Sequence, residues 1–428
     1  MRKLKDGIKL YEHQAKGKDF ILRRKYVLIG DEPGLGKTLQ AMAAIVETNG
    51  LAVIVCPAFL RLNWKREILK FTNLSCQIVN AKTSYLKIPQ VIISSYENVK
   101  NIPLDLMPNF LVLDESHYIK NMKAARTKAV IKMITECRPE YFVALSGTPI
   151  LNNVTEFYSV LKLLSTCPSG TNGIPIQQRS QYGFSMKFAN CSTRNILVNS
   201  KHGSKSVSIT DFSGVKNVDL LKSYLKGKFL RRLAKSVLDL PKVTYSNFIM
   251  KMSKSKLKES MLELGEDIPE HITHIKIGAA NDKVSATVKF CTELLEQREQ
   301  VVVFSDHREP VASISAALEA NYPVGVITGE TDYNERDRIV QDFQSGKLRA
   351  IIGTIGAAST GLTLTAARHL VFNDKSWVPA DNIQAERRVN RISQERPVTI
   401  TSIINGEFDL KLNEKLYRKS KEIREVYE

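Results

Sequence analysis

Short apolar runs recur along this chain, and each stops abruptly on small or polar residues. In the first half they are Val27-Leu28-Ile29 ahead of GDEPGLGKT, then LAVIVCP (51–57), QVIISSYE (90–97), FLVLDESH (110–117) and YFVALSGTP (141–149). Runs this uniformly apolar predict strands of a parallel sheet covered on both faces, with functional groups gathered at the strands' carboxyl ends. A one-layer sheet would leave too much Val, Ile and Leu in water. Ahead of the first run, Tyr11 to Lys25 spaces Tyr11, Ala15, Phe20 and Leu22 among charges and predicts a helix. From Ser165 to about Lys216 the pattern lapses into Gly, Ser, Asn and Thr and reads as an insertion or linker rather than a sheet. Helical patterning resumes in VDLLKSYLKGKFLRRLAKSVLDLPK. A second alternating unit begins near Asp282, with the runs VVVFSD (301–306), YPVGVITGE (322–330), LRAIIGTIGAAST (348–360), HLVFND (369–374) and VTITSII (398–404). Between them, NERDRIVQDFQSG sets Ile339, Val340 and Phe343 on one side and stops at Gly346. The fold class is therefore α/β, two parallel-sheet lobes with an inserted, partly helical segment. The expected boundaries are 1–164, 165–240 for the insertion and a basic helical brace, 241–281 for a linker, and 282–428.

Three stretches carry candidate chemistry. In GDEPGLGKT, between a strand and a helix, Gly34 and Gly36 allow a loop whose N–H groups point at phosphates. Lys37 would reach the β- and γ-phosphates and Thr38 would hold Mg²⁺. Asp31 stands where the usual pattern has its first glycine. At the end of FLVLDESH, Asp114 would hold Mg²⁺ and Glu115 would orient and deprotonate an attacking water. His117 and Ser146-Gly147-Thr148 are expected beside them, the hydroxyls reporting the nucleotide state to neighbouring loops. In DNIQAERRVNRISQ (381–394), Gln384, Arg388 and Arg391 fall at i, i+4 and i+7, on one helix face. Two guanidiniums suit the charge that spreads over a γ-phosphate in transfer, and their place in the second lobe would make them conditional on closure.

Charge changes the picture most. With 62 Lys+Arg against 44 Asp+Glu the formal net charge is +18, which points to a polyanionic partner. Between Lys222 and Lys256 there are ten Lys/Arg and one acid, Asp239, giving either a solvated helix face, a DNA-backbone contact or a brace between lobes. No apolar run is long enough to span a bilayer, and MRKLKDGIKLYEH lacks a signal-peptide core. The expectation is a monomer without membrane contact, cytoplasmic in a bacterium or phage-infected cell and nuclear in a eukaryote. The six cysteines lie scattered with no C-x-x-C pair and read as reduced thiols. His271 and His274 read as a solvated polar segment.

In their order, these stretches resemble the Swi/Snf-type DNA-dependent ATPases of helicase superfamily 2 across almost the whole chain. The resemblance rests on LYEHQ with Gln14, DEPGLGKT, VIVCP, the ISSYE run, LDESHYIKN, LSGTP, FLRR with Arg231 and Arg232, VVFSD, ITGETDYNERDRIVQDFQ, GTIGAASTGLTLTAA and QAERRVNRISQ. It implies two RecA-like lobes with ATP in the cleft and duplex DNA held across both. Gln14 would contact adenine, and Asp31, Gly34, Gly36, Lys37 and Thr38 would form the phosphate and Mg²⁺ site. Arg388 and Arg391 would act as fingers, completing with Gln384 a catalytic set of Lys37, Asp114 and Glu115. Ser94, Ser95, Ser305 and Thr354 sit where family loops touch the DNA backbone. DESH followed by YIKN, with DFSGVKNVDLLKSYL before FLRR, looks most like the annealing-helicase, fork-remodelling branch, in a compact phage- or bacterial-type member. The chain departs from the family at Arg387, Asn390 and Ser393, where Asp, His and Gly are usual, and in its Trp377-Val378-Pro379 turn. The finger arginines are intact, so hydrolysis is expected to survive.

The leading expectation is an ATP-driven DNA translocase that remodels branched DNA by fork regression, branch migration, annealing or limited unwinding. A translocase that slides or strips proteins on duplex DNA is the alternative within the class. A nucleotide-dependent DNA clamp with little hydrolysis is the alternative outside it, and such a clamp would have no need of the full set Lys37, Asp114, Glu115, Arg388 and Arg391.

Overall fold

The computed structural model describes every residue except 1, 81–87, 152, 167–179, 201–202, 239, 251–268, 359–360 and 428. The chain divides into two units, Met1–Val237 with Lys419–Glu428, and Leu238–Arg418.

The first unit is built on β1 (Tyr26–Ile29), β2 (Ala52–Cys56), β3 (Cys76–Ile78), β4 (Val91–Ser95), β5 (Phe110–Leu113) and β6 (Tyr141–Leu145). With the short β9 (Phe229–Leu230) they form a seven-stranded sheet in the order β3-β4-β2-β5-β6-β1-β9. Every pair is parallel. The near-continuous apolar runs have their reason here, because successive residues enter opposite cores. Leu28, Val53, Val55, Leu111 and Leu113 belong to one buried cluster, and Val27, Ile29, Ile54, Val112 and Val143 to the other. The expected first helix is Glu12–Arg24.

The segment read as lacking a sheet carries one. Between β6 and β9, β7 (Asn190–Ser200) and β8 (Gly203–Ser213) pair antiparallel from Asn190↔Ser213 to Ser200↔Gly203. Its many Ser, Asn and Thr residues spell a loop by composition, while a two-stranded ribbon is specified by its register. Residues 167–179 and 201–202 of that segment lie outside the described residues. The helix Val218–Leu225 follows, with Leu221, Tyr224 and Leu225 buried.

The second unit carries β10 (Val243–Ile249), β11 (Val301–Ser305), β12 (Val324–Ile327), β13 (Ala350–Thr354), β14 (His369–Phe372) and β15 (Val398–Ile404) in the order β10-β15-β14-β11-β13-β12. All are parallel. The expected linker 241–281 thus begins with an edge strand of this sheet and ends in the helix Pro269–Asp282. VTYSNFI was illegible as a strand because an edge strand is only half covered, and none of its seven residues is fully buried. The side chains of His271 and His274, residues 251–268, which include the end of the basic segment, and Ser359-Thr360 lie outside the described residues. Among the described residues no helix is long and apolar enough to cross a membrane.

Candidate nucleotide site and arginine pair

The loop after β1 has the backbone that its glycines allow. Gly34 and Gly36 take φ of +92° and +73°, and the helix Lys37–Val46 starts directly after Gly36. Thr38 lies in its first turn. A helix amino terminus behind such a loop is a ready cradle for phosphate. Lys37 Nζ donates to the carbonyls of Asp31 at 2.7 Å and Glu32 at 3.3 Å. Burial pulls the Lys37 ammonium below its ordinary value, against the opposing charges of Glu115, Asp31 and Asp114. A half-buried cation among three carboxylates fits a phosphate chain with its metal.

The first helix docks on this loop at its start. His13 Nε2 donates to the Leu35 carbonyl at 3.1 Å. Gln14 is buried, accepts from the Tyr11 N–H at 3.0 Å, and lies so close that a Cβ on Gly36 would meet its Nε2 at 2.4 Å. The expectation for Asp31 is narrowed. Its carboxylate is fully buried and held by Arg232 and Gln40, so any contact with a phosphate would come from its backbone.

At the end of β5, the Asp114 N–H continues the ladder to the Val55 carbonyl at 2.8 Å. The Trp64 indole donates to Asp114 Oδ2 at 2.8 Å, and the Glu115 N–H to Oδ1 at 2.9 Å. The Tyr96 hydroxyl donates to the Asp114 carbonyl at 2.8 Å. Burial first, then the neighbouring Glu115 carboxylate, push the Asp114 acid up to about 7. A carboxyl in that condition fits a cation, which would return it to the charged form. Glu115 sits at φ +49°, in the left-handed region that a non-glycine residue adopts at a cost. Its Oε2 lies 3.3 Å from His117 Nδ1, which also faces Ser146 Oγ at 3.4 Å. Burial takes His117 down to about 4, so at neutral pH this contact is not an ion pair. Ser146 Oγ in turn accepts from the Thr148 N–H at 3.2 Å, and the expected neighbourhood of His117 and Ser146-Gly147-Thr148 is assembled.

The arginine pair differs from expectation in one respect. The helix Pro379–Val389 ends before Arg391, and Asn390 is extended at φ −98° and ψ 91°, so the three residues do not share one helical face. Arg388 and Arg391 still converge. Each donates through Nη1 to the Leu362 carbonyl, at 3.3 and 3.2 Å, and Arg391 also to Thr363 Oγ1 at 2.8 Å. Gln384 is buried, and its carbonyl accepts from Arg388 Nε at 3.0 Å.

Ser95, Ser305 and Thr354 are the last residues of β4, β11 and β13, and Ser94 precedes Ser95. All four are buried. Ser94 Oγ donates to the Ser95 carbonyl at 3.1 Å, and Ser305 Oγ to Asp374 Oδ1. Among the described residues Asp306, His307 and Asp374 form a cluster of metal-ligating types, but Lys276 already pairs with Asp306.

Sequence reasoning missed Trp64, Gln40 and the role of Arg232. Arg232 lies 201 residues from Asp31, and no spacing rule links them. Trp64 had a weaker signal, a single indole in the helix after the second apolar run.

A glycine-rich phosphate loop, paired carboxylates at a neighbouring strand end and an arginine pair on a second parallel sheet define a Swi/Snf-type superfamily 2 ATPase. The sequence matches the SNF2-related domain over residues 13–300 and the helicase conserved C-terminal domain over residues 282–393, and the chain belongs to the SNF2-related family. It is 28% identical over 424 residues to the SWI/SNF-related matrix-associated actin-dependent regulator of chromatin subfamily A-like protein 1 of Drosophila melanogaster, covering 92% of this chain and 53% of that protein. It is also 28% identical over 455 residues to the DNA annealing helicase and endonuclease ZRANB3 of Mus musculus, covering 96% of this chain and 40% of that protein. The chain spans about half the length of the curated relatives it matches. Among solved structures it is similar to the Sulfolobus solfataricus SWI2/SNF2 ATPase core in complex with dsDNA, with a TM-score of 0.45, 22% identity, and coverage of 98% of this chain and 97% of that one.

Proposed function

We propose that this chain is an ATP-driven DNA translocase that remodels branched DNA, by fork regression, branch migration, annealing or limited unwinding. The observation that carries the reading is the convergence of Lys37, Asp114 and Glu115 in one half-buried charged site at a helix amino terminus. Lys37 and Thr38 would hold the nucleotide phosphates, Asp114 and Thr38 the Mg²⁺, and Gln14 the adenine. Bound Mg²⁺ would offset phosphate charge and polarise the transferring group. Glu115 takes the proton of the attacking water, and Arg388 and Arg391 meet the charge on the transferred phosphoryl group. The excess of Lys and Arg supports DNA as the partner, gripped without sequence preference and weakened by salt. Branched DNA is favoured because one relative is named an annealing helicase. Ser94, Ser95, Ser305 and Thr354 are assigned to the DNA side of their strand ends, holding the loops that follow.

The test is the steady-state ATPase rate with Mg²⁺ at moderate salt, comparing no DNA, single strand, linear duplex, and a fork or four-way junction. Highest stimulation by branched DNA is expected. Equal stimulation by linear duplex replaces the proposal with a translocase that displaces proteins, and no stimulation by any DNA replaces it with a clamp.

A further inference from the structure

The phosphate loop breaks the usual pattern at one residue, Asp31, and the side chain placed there is fully buried. A buried carboxylate needs a partner. Arg232 supplies it, with Nε donating to Asp31 Oδ1 at 3.0 Å and Nη2 to Oδ2. The same guanidinium donates to Gln40 Oε1 at 3.0 Å and to the His13 carbonyl. Gln40 Nε2 closes the ring onto Asp31 Oδ2 at 3.0 Å. One rigid, planar fork therefore ties together the start of the first helix, the phosphate loop and the helix Lys37–Val46.

Two further observations point the same way. Gly17 stands inside the first helix, where glycine is a poor choice, and a Cβ there would come within 1.9 Å of Gln40 Oε1 and 3.0 Å of Arg232 Nη2. The helix lies as close to the fork as a backbone without side chain permits. The segment that follows β9 and bears Arg232 is also hydrogen-bonded to the loop. Gly30 N–H donates to the Leu230 carbonyl at 2.7 Å and Glu32 N–H to that of Arg232 at 3.1 Å. Ala234 N–H donates to Glu32 Oε2 at 2.7 Å.

We propose that Arg232, with Asp31 as its counter-charge, is the positioning residue that sets the distance between the Gln14 end of the first helix and the phosphate loop, so that discrimination among nucleotide bases depends on it. The inference rests on the reading of this loop as the ATP site. Asp31 replaces a glycine because the loop is held from behind through that side chain.

The experiment compares kcat and KM for ATP and GTP, with duplex DNA present, in the full chain and in Arg232→Gln, Arg232→Lys and Gly17→Ala. The wild-type chain is expected to prefer ATP. Arg232→Gln and Gly17→Ala should each raise KM for ATP about tenfold with little change in KM for GTP or in kcat, and Arg232→Lys should recover part of the preference. A wild-type chain indifferent to the base, or equal losses for both nucleotides in Arg232→Gln and Gly17→Ala, overturns the proposal. If Arg232→Gln fails to fold, Asp31→Asn/Arg232→Gln removes both buried charges and carries the same comparison. Lys37→Ala is run beside them, because normal turnover in that variant refutes the ATP-site reading itself, a different outcome from a lost base preference.

Discussion

The two parallel sheets end differently at their carboxyl edges. In the first unit the strand ends hold unsettled charge, with Lys37 lowered by burial, Asp114 raised to about 7 and Glu115 in a left-handed turn. In the second unit the corresponding edge is settled. Asp374 accepts from Ser305 and from the Asp306 N–H at 3.2 Å, Asp306 pairs with Lys276, and Asn373 Oδ1 accepts from Thr287 at 2.7 Å. Its two candidate arginines converge on the Leu362 carbonyl, with Arg391 also on Thr363 Oγ1 and Arg388 Nε on the Gln384 carbonyl. One edge thus carries the shifted charges of a candidate ligand site, and the other an edge of paired side chains.

The sharpest way to break this contrast is Glu115→Gln. The side chain keeps its shape and loses its basicity, so hydrolysis should fall on the order of 10³-fold while ATP still binds. A filter or fluorescence assay of nucleotide binding beside the turnover assay reads both. Unchanged turnover would mean that another group activates the water, and the strained turn at Glu115 would then need a different explanation.

Arg391→Ala tests the other sheet. With Arg388 left in place, DNA-stimulated hydrolysis should drop on the order of 10²-fold with ATP affinity within a few-fold of wild type. A variant that loses ATP binding and keeps its turnover at saturation would move Arg391 from the transferring phosphoryl group to ground-state binding, and the second sheet would no longer differ in kind from the first.

Much of this was legible in the sequence, for a physical reason. Buried parallel strands must be apolar on both faces, so VIVC, VIIS, FLVL and YFVA announce themselves, and the residues that stop such runs are the natural candidates to face a ligand. Lys37, Asp114 and Glu115 were read as candidates that way, and the structure couples their charges. What failed was whatever lacked that signature. The edge strand Val243–Ile249 is half exposed, the ribbon 190–213 is written in polar residues, and Arg391 leaves its helix at Asn390, whose extended backbone no spacing rule displays. The Arg232–Asp31 pair joins residues brought together only by the pairing of β9 with β1.

Trp64→Phe should have the smallest effect and reports on how the first sheet keeps Asp114 unsettled. The indole N–H favours the charged carboxylate, so its loss should push the Asp114 acid higher still. Below its pKa the group carries a proton that Mg²⁺ must expel, so in the wild-type chain the half-saturating Mg²⁺ concentration should fall as pH rises through about 7. In the variant that fall should come at higher pH, and at pH 7 the requirement for Mg²⁺ should rise ~3- to 10-fold, with the gap closing above about pH 8.5. Titrating Mg²⁺ at several pH values checks this. A displacement of equal size at every pH would make Trp64 a packing residue only, and no displacement would remove Asp114 from the metal site, leaving the first sheet with no carboxylate whose charge the cation controls.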